Sequence, residues 1–287
     1  NSILENNPDI LQYIKNNQDL QHLLLNDPET LYQCSPLTKS ENFSHLHNGE
    51  FKTLFDAYYP KMQNSANFLF LDQNGIKEIT EDVFAKVIQL KQTDFLFFIS
   101  SSFFKRFAET KEFKKYFPTI KDDINTTSYY KIHRKVLEHY KSLIPANKEY
   151  YLAPFSIKKG SNIYGLIFGT NHTLGIEKFL SVAWKVDKQR GEANFDIDND
   201  QISESAPTLF TEMNIPTKKQ TFDKKLVEQI LTSQLKTNKE VYLFTLMEGF
   251  LLKEANTVLK RLKNEKKIDF EFALINNNVH RLSKEEA

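Results

Sequence analysis

The sequence predicts an α/β domain with a mostly parallel sheet, followed by a C-terminal winged helix. Three stretches predict this. Asn67–Leu71 and Phe95–Ile99 are continuous apolar runs on either side of a helical pattern, which makes a βαβ unit. Tyr150–Ile157 and Ile163–Phe168 flank Lys158-Lys-Gly-Ser-Asn162 and form a hairpin pattern. The region from residue 216 onward is patterned as three helices and a small hairpin, the order of a winged helix.

Taken in order, residues 1–33 are polar and helical in pattern, with Ile10, Leu11, Ile14, Leu20, Leu23 and Leu24 at helical spacings. The run Asn67–Leu71 ends in Asp72, and Gln73-Asn-Gly75 turns the chain. Both flanking strands of the βαβ unit are predicted to be buried, and the crossover between them to be right-handed. Thr80 is placed to cap a helix carrying Val83, Phe84, Val87 and Ile88. Residues 103–148 read as a helical insertion that closes with an amphipathic helix through Ile132, Val136, Leu137, Tyr140 and Ile144. After the hairpin comes a helix from about Leu174 to Val186, which holds the single Trp, Trp184. The predicted organisation is an α/β domain at 1–190, an acidic linker at 191–215 and a winged-helix domain at 216–287. Helices are expected over Phe222–Leu235, Lys239–Phe250 and Lys253–Lys267, with the wing at Ile268–Leu274 and Val279–Leu282.

The net charge of +1 over 287 residues sets up no global field towards DNA or a membrane, so nucleic-acid binding requires a local patch. The single cysteine, Cys34, excludes a disulfide framework and fits a reducing cytoplasm. No apolar run is long enough to cross a membrane.

Four constellations carry chemistry. Asp72 closes a strand, where doubly wound sheets bind ligands; it reads equally as a turn-stabilising acid. Gly165-Leu-Ile-Phe-Gly169-Thr-Asn-His172-Thr-Leu-Gly175 superficially echoes a phosphate loop, but its spacing favours a tight β-to-α turn. His172 on that turn becomes an acid or base only where a substrate approaches. Asp196-Ile-Asp198-Asn-Asp200 resembles the start of a calcium loop, but Gln201 and Pro207 occupy the positions that need Gly and Glu, so it reads as solvated linker. No metal site is expected. Between Thr217 and Lys267 there are twelve Lys/Arg against six Asp/Glu. Lys253, Lys260, Arg261 and Lys263 fall on or near the expected recognition helix, placed to neutralise phosphates; the same helix also reads as a packing or protein-contact module.

Asp72–Gly75, Phe103-Phe-Lys-Arg-Phe107, Tyr164–Gly175, Trp184 and Gly191-Glu-Ala-Asn-Phe-Asp196, in that order, resemble the three-Cys-motif partner family. The likeness covers roughly residues 40–285 and is most specific over Gly165–Asp196. It implies a methyltransferase-like, Rossmann-type sheet of seven strands, with Asn67–Leu71 as the fourth and the hairpin as the antiparallel final pair. It also implies S-adenosylmethionine as cofactor, and a three-cysteine radical-enzyme-like protein as partner. Two departures accompany the resemblance. Gln73 and Asn74 stand where the family has Pro and Phe, and residues 1–48 hold no glycine for a cofactor loop. Either the chain is part of a longer protein or the cofactor site has decayed.

The expected function is therefore a nucleic-acid-associated, methyltransferase-like protein acting on DNA or RNA. Asp72 would hold the target amine, with Asn74 and His172 nearby. The alternatives are a non-catalytic adaptor for a partner enzyme and, more remotely, a metal-dependent nuclease acting through Asp72.

Overall fold

A computed structural model of the chain describes residues 50–71, 79–117, 127–198 and 216–268. The chain divides into two compact units, Asn1–Pro60 and Lys61–Ala287. Of the first unit only residues 50–60 are described. They lie in α1 (Phe51–Met62), where the Phe55 ring sits 5.7 Å from both Phe51 and Tyr59. The expected helical pattern at 1–33, the Gln73–Gly75 turn and the wing all fall outside the described residues.

The second unit is built on a four-stranded sheet: β1 (Asn67–Leu71), β2 (Thr93–Ser100), β3 (Tyr151–Lys159) and β4 (Asn162–Thr170), in the order β1-β2-β4-β3. β1 and β2 run parallel, and β4 runs antiparallel to both β2 and β3. The expectation of a mostly parallel sheet is thus corrected among the described residues. The hairpin inserts its second strand beside β2, which leaves a single parallel pairing. The start of β1 is pinned by Asn67, whose amide nitrogen lies 2.9 Å from both Met62 O and Thr93 Oγ1.

Between β1 and β2 lies α2 (Glu81–Val87). Thr80 caps it by accepting a hydrogen bond from the Val83 amide, and Glu81 and Asp82 favour its positive end. α3 (Ser101–Phe107) and α4 (Lys111–Tyr116) follow β2, and α5 (Ile132–Ser142) follows a 3₁₀ turn at Tyr129–Lys131. Phe84 and Tyr140 from these helices close over Phe95 and Phe97 of β2, with centroid distances of 4.8–6.1 Å. The Tyr140 hydroxyl donates to Ile79 O at 2.6 Å, which satisfies the one polar atom of a fully buried ring.

The glycines that echo a phosphate loop do a different job. Gly165 and Gly169 lie inside β4, and a Cβ on Gly169 would stand 2.1 Å from the Phe95 ring. The missing side chain lets Phe95 cross the sheet at that point. Gly169→Ala is expected to destabilise the protein by about 1–3 kcal/mol through overpacking. An unchanged urea midpoint would show that Phe95 has room to move.

The opposite face of the sheet is covered by α6 (Thr173–Val186), where Phe179 stacks on Phe168 at 4.8 Å. Burial on this side ends before β1. Phe68 and Phe70 are 63% and 51% exposed, so the strand expected to be buried on both faces is covered on one.

A candidate nucleic-acid interface

The C-terminal helices are α7 (Lys218–Leu231), α8 (Asn238–Met247) and α9 (Leu252–Asn264). Each of the first two opens on a capping box, Thr217 with Gln220 and Thr237 with Glu240, so both begin at defined residues. α8 and α9 are joined by a turn through Gly249, whose φ of +78° suits glycine.

α9 is strongly two-sided. Ala255, Val258, Leu259 and Leu262 are buried. Lys253, Thr257, Lys260 and Asn264 recur at spacings of four, three and four, and all are exposed. This stripe is an exposed, basic face of the three-helix unit. The structure brings Lys253 and Lys260 together on it, with Lys263 exposed to one side. Arg261 lies on the other flank, 3.8 Å from Asp223 of α7. Lys253 has a loose contact with Glu254, also at 3.8 Å. Lys260 and Lys263 have no carboxylate partner among the described residues.

The three helices are packed into the sheet's own core. Phe222, Leu226, Tyr242, Leu246, Phe250 and Leu259 bury against Trp184 and Leu180 of α6, and against Tyr151, Ala153 and Phe168 of the sheet. The Trp184 indole N–H donates to Gly249 O at 3.0 Å, which fixes the turn ahead of α9. Lys218 runs beneath, its Nζ 5.7 Å from the Trp184 ring and 5.4 Å from Phe250, donating to Arg190 O at 2.8 Å. Burial lowers the Lys218 pKa, against the opposing pull of Glu192.

The Gly191 motif is a clasp. Asp187 accepts hydrogen bonds from the amides of Gln189, Arg190, Glu192 and Ala193. Gly191, at φ +62°, lies so close to the Trp184 ring that a Cβ would stand 2.6 Å away. The chain then pairs with β3: Ser156 N donates to Glu192 O at 2.7 Å and Asn194 N to Ser156 O at 3.1 Å. Glu192 is buried beneath Arg134, whose guanidinium forks onto both Glu192 and Asp198. Asp198 also meets Lys131 at 2.8 Å and Arg190 at 3.0 Å. Burial alone would raise the Glu192 carboxyl, but hydrogen bonds from His133 and Arg134 outweigh it and hold the group well below the usual carboxylate range. The same contest leaves Asp198 at about 2. The start of the expected linker, residues 191–198, is therefore anchored, and Asp196 and Asp198 face basic side chains. Residues 199–215 lie outside the described residues. The Gly191 motif stands out in the sequence, but Lys218 and Arg134 do not, because their partners in the clasp are distant along the chain.

Asp72 and Asn74 are outside the described residues. His172 is described, and the structure separates it from the end of β1. β4 is antiparallel to the β1–β2 pair, so His172, just past its carboxyl end, stands where β1 and β2 begin. Its Nδ1 accepts the Leu174 amide at 3.1 Å, capping α6. His172 therefore stands at the other end of the sheet from Leu71, and its distance from Asp72 lies outside the described residues. Among the described residues, no group of three or more His, Cys, Asp or Glu is placed to hold a metal, and no helix is long and apolar enough to cross a membrane.

No curated protein and no solved structure matches the chain. A family model described as a GMT-like wHTH domain matches residues 193–273, so the chain carries a C-terminal winged helix.

Proposed function

We propose that the protein binds nucleic acid through its winged helix and presents it to a methyltransferase-like sheet, as the resemblance to the three-Cys-motif partner family implies. The observation that carries the binding half is the exposed Lys253–Lys260 stripe on α9, within a region that matches a winged-helix family. Lys253→Glu with Lys260→Glu is expected to weaken binding of a labelled DNA duplex at least tenfold and to flatten its salt dependence by about two. Fluorescence anisotropy reads both. A parent protein that binds neither duplex DNA nor duplex RNA at low salt overturns the proposal.

The sheet half is supported by strand order. A parallel pair followed by an antiparallel hairpin inserted beside it is what the resemblance implies for the last strands of such a sheet. The glycines of β4 leave no space for S-adenosylmethionine. The space beside Gly165 is filled by His133 and that beside Gly169 by Phe95, and no glycine-rich turn follows a parallel strand among the described residues. The second reading is a nucleic-acid-binding adaptor, favoured by the filled space at Gly165 and Gly169. Calorimetric titration with S-adenosylmethionine separates the adaptor from an enzyme, because heat of binding is expected from the enzyme alone. The resemblance adds a three-cysteine radical-enzyme-like partner, tested by co-purification of the two proteins.

A further inference from the structure

The end of the sheet where β2 stops and β4 begins carries an aromatic and basic cluster beside the clasp. The 3₁₀ turn at Tyr129–Lys131 is tied to this end by the Ile163 amide, which donates to the Tyr129 hydroxyl at 3.2 Å. Tyr130 is 39% exposed and stands 5.9 Å from the Phe195 ring. Lys158, near the end of β3, holds its Nζ 5.6 Å from the Tyr130 centroid and 5.9 Å from that of Phe195. Its backbone is fixed by Asn194, whose Oδ1 accepts the Lys158 amide at 2.7 Å. Lys159 follows it, also exposed.

The charge here is uncompensated. The nearby acids are engaged elsewhere: Glu192 with Arg134, Asp196 with Arg190, and Asp198 with Lys131, Arg134 and Arg190. Among the described residues no carboxylate pairs with Lys158 or Lys159. Two ammonium groups without a carboxylate partner therefore lie at a partly exposed ring, Lys158 over Tyr130 and Lys159 next along the chain, on a backbone held by hydrogen bonds. A ligand that matches offers a flat ring with anions beside it. In a duplex the bases are already stacked on each other, so the available form is a single strand.

We propose that this cluster is a single-strand nucleic-acid platform: an unpaired base stacks on Tyr130, and Lys158 and Lys159 take the adjoining phosphates. This rests on the winged-helix reading and adds a second contact to it. The test uses the full chain and labelled DNA of roughly 20 base pairs, either blunt or with a single-stranded overhang of about ten nucleotides, within the span of single-strand sites. The parent is expected to prefer the overhang about tenfold. Tyr130→Ala should abolish that preference, Tyr130→Phe should keep it, and neither should change the affinity for the blunt duplex. Lys158→Gln with Lys159→Gln should lower the salt dependence of overhang binding by about one to two. A parent that binds the blunt duplex but ignores the overhang overturns the platform and leaves the winged-helix contact standing. So does a Tyr130→Ala variant that keeps the preference. A parent that binds neither probe overturns both.

Discussion

Arg134→Ala is expected to destabilise the protein by about 3–5 kcal/mol, measured by urea denaturation. The guanidinium forks onto Glu192 and Asp198, and the Glu192 side chain is only 7% exposed. Removing Arg134 leaves the buried Glu192 charged with only His133 beside it, and losing one member of a buried ion pair costs far more than the pair contributes. Arg134→Lys keeps the charge but loses the fork, so its loss should be intermediate. The pH dependence has a definite sign. Glu192 and Asp198 titrate lower in the folded chain than in the unfolded one. Their stabilisation is therefore complete above the unfolded carboxylate range, near pH 4, and is lost as pH falls through the folded values, about 2 for Asp198. In Arg134→Ala that depression is reduced, so less stability should be lost on acidification over the same range. An Arg134→Ala stability within about 1 kcal/mol of the parent would mean that water or His133 already satisfies Glu192.

Trp184→Ala is expected to cost a similar amount, about 3–5 kcal/mol, by removing a large buried ring. Its effect should reach further than the energy suggests. The indole touches Phe250 at 5.2 Å and holds the turn before α9 through Gly249 O. The variant should therefore also bind duplex DNA more weakly, although Trp184 lies on the buried side of the helices. Trp184→Phe separates the two effects, since it keeps most of the packing and loses only the N–H donor, worth about 1 kcal/mol. In the parent, Trp184 fluorescence and far-UV circular dichroism should report one transition for the sheet and the winged helix together. Two resolved transitions would refute the shared core.

Much of this architecture is legible in local pattern. Thr80, the alternation across the hairpin and the helical spacing from Lys253 onward each state their element in a few adjacent residues. The capping boxes at Thr217 and Thr237 are equally local signals: the first starts α7 at Lys218, ahead of the expected Phe222, and the second starts α8 at Asn238, next to the expected Lys239. What the sequence hides is long-range. The antiparallel insertion of β4 depends on register, and it sends His172 to the end of the sheet away from Leu71. Gly165 and Gly169 look like a loop because glycine signals turns, yet they make room for rings from other elements. The segment from Gly191 reads as linker because it is acidic, but its acids find Arg134 and Lys131 some sixty residues earlier in the chain.

The shared core between α6 and the winged helix has a consequence for how the molecule would find its target. A tethered module searches a volume set by linker length, and its second contact gains from high effective concentration. In this protein Trp184 and Lys218 lock α9 to the sheet during folding, so that orientational freedom is spent before any ligand arrives. The molecule would behave as a ruler. A groove held by α9 and an unpaired base at Tyr130 would lie a fixed distance apart, and lengthening the double-stranded part of the probe by half a helical turn would break one contact or the other.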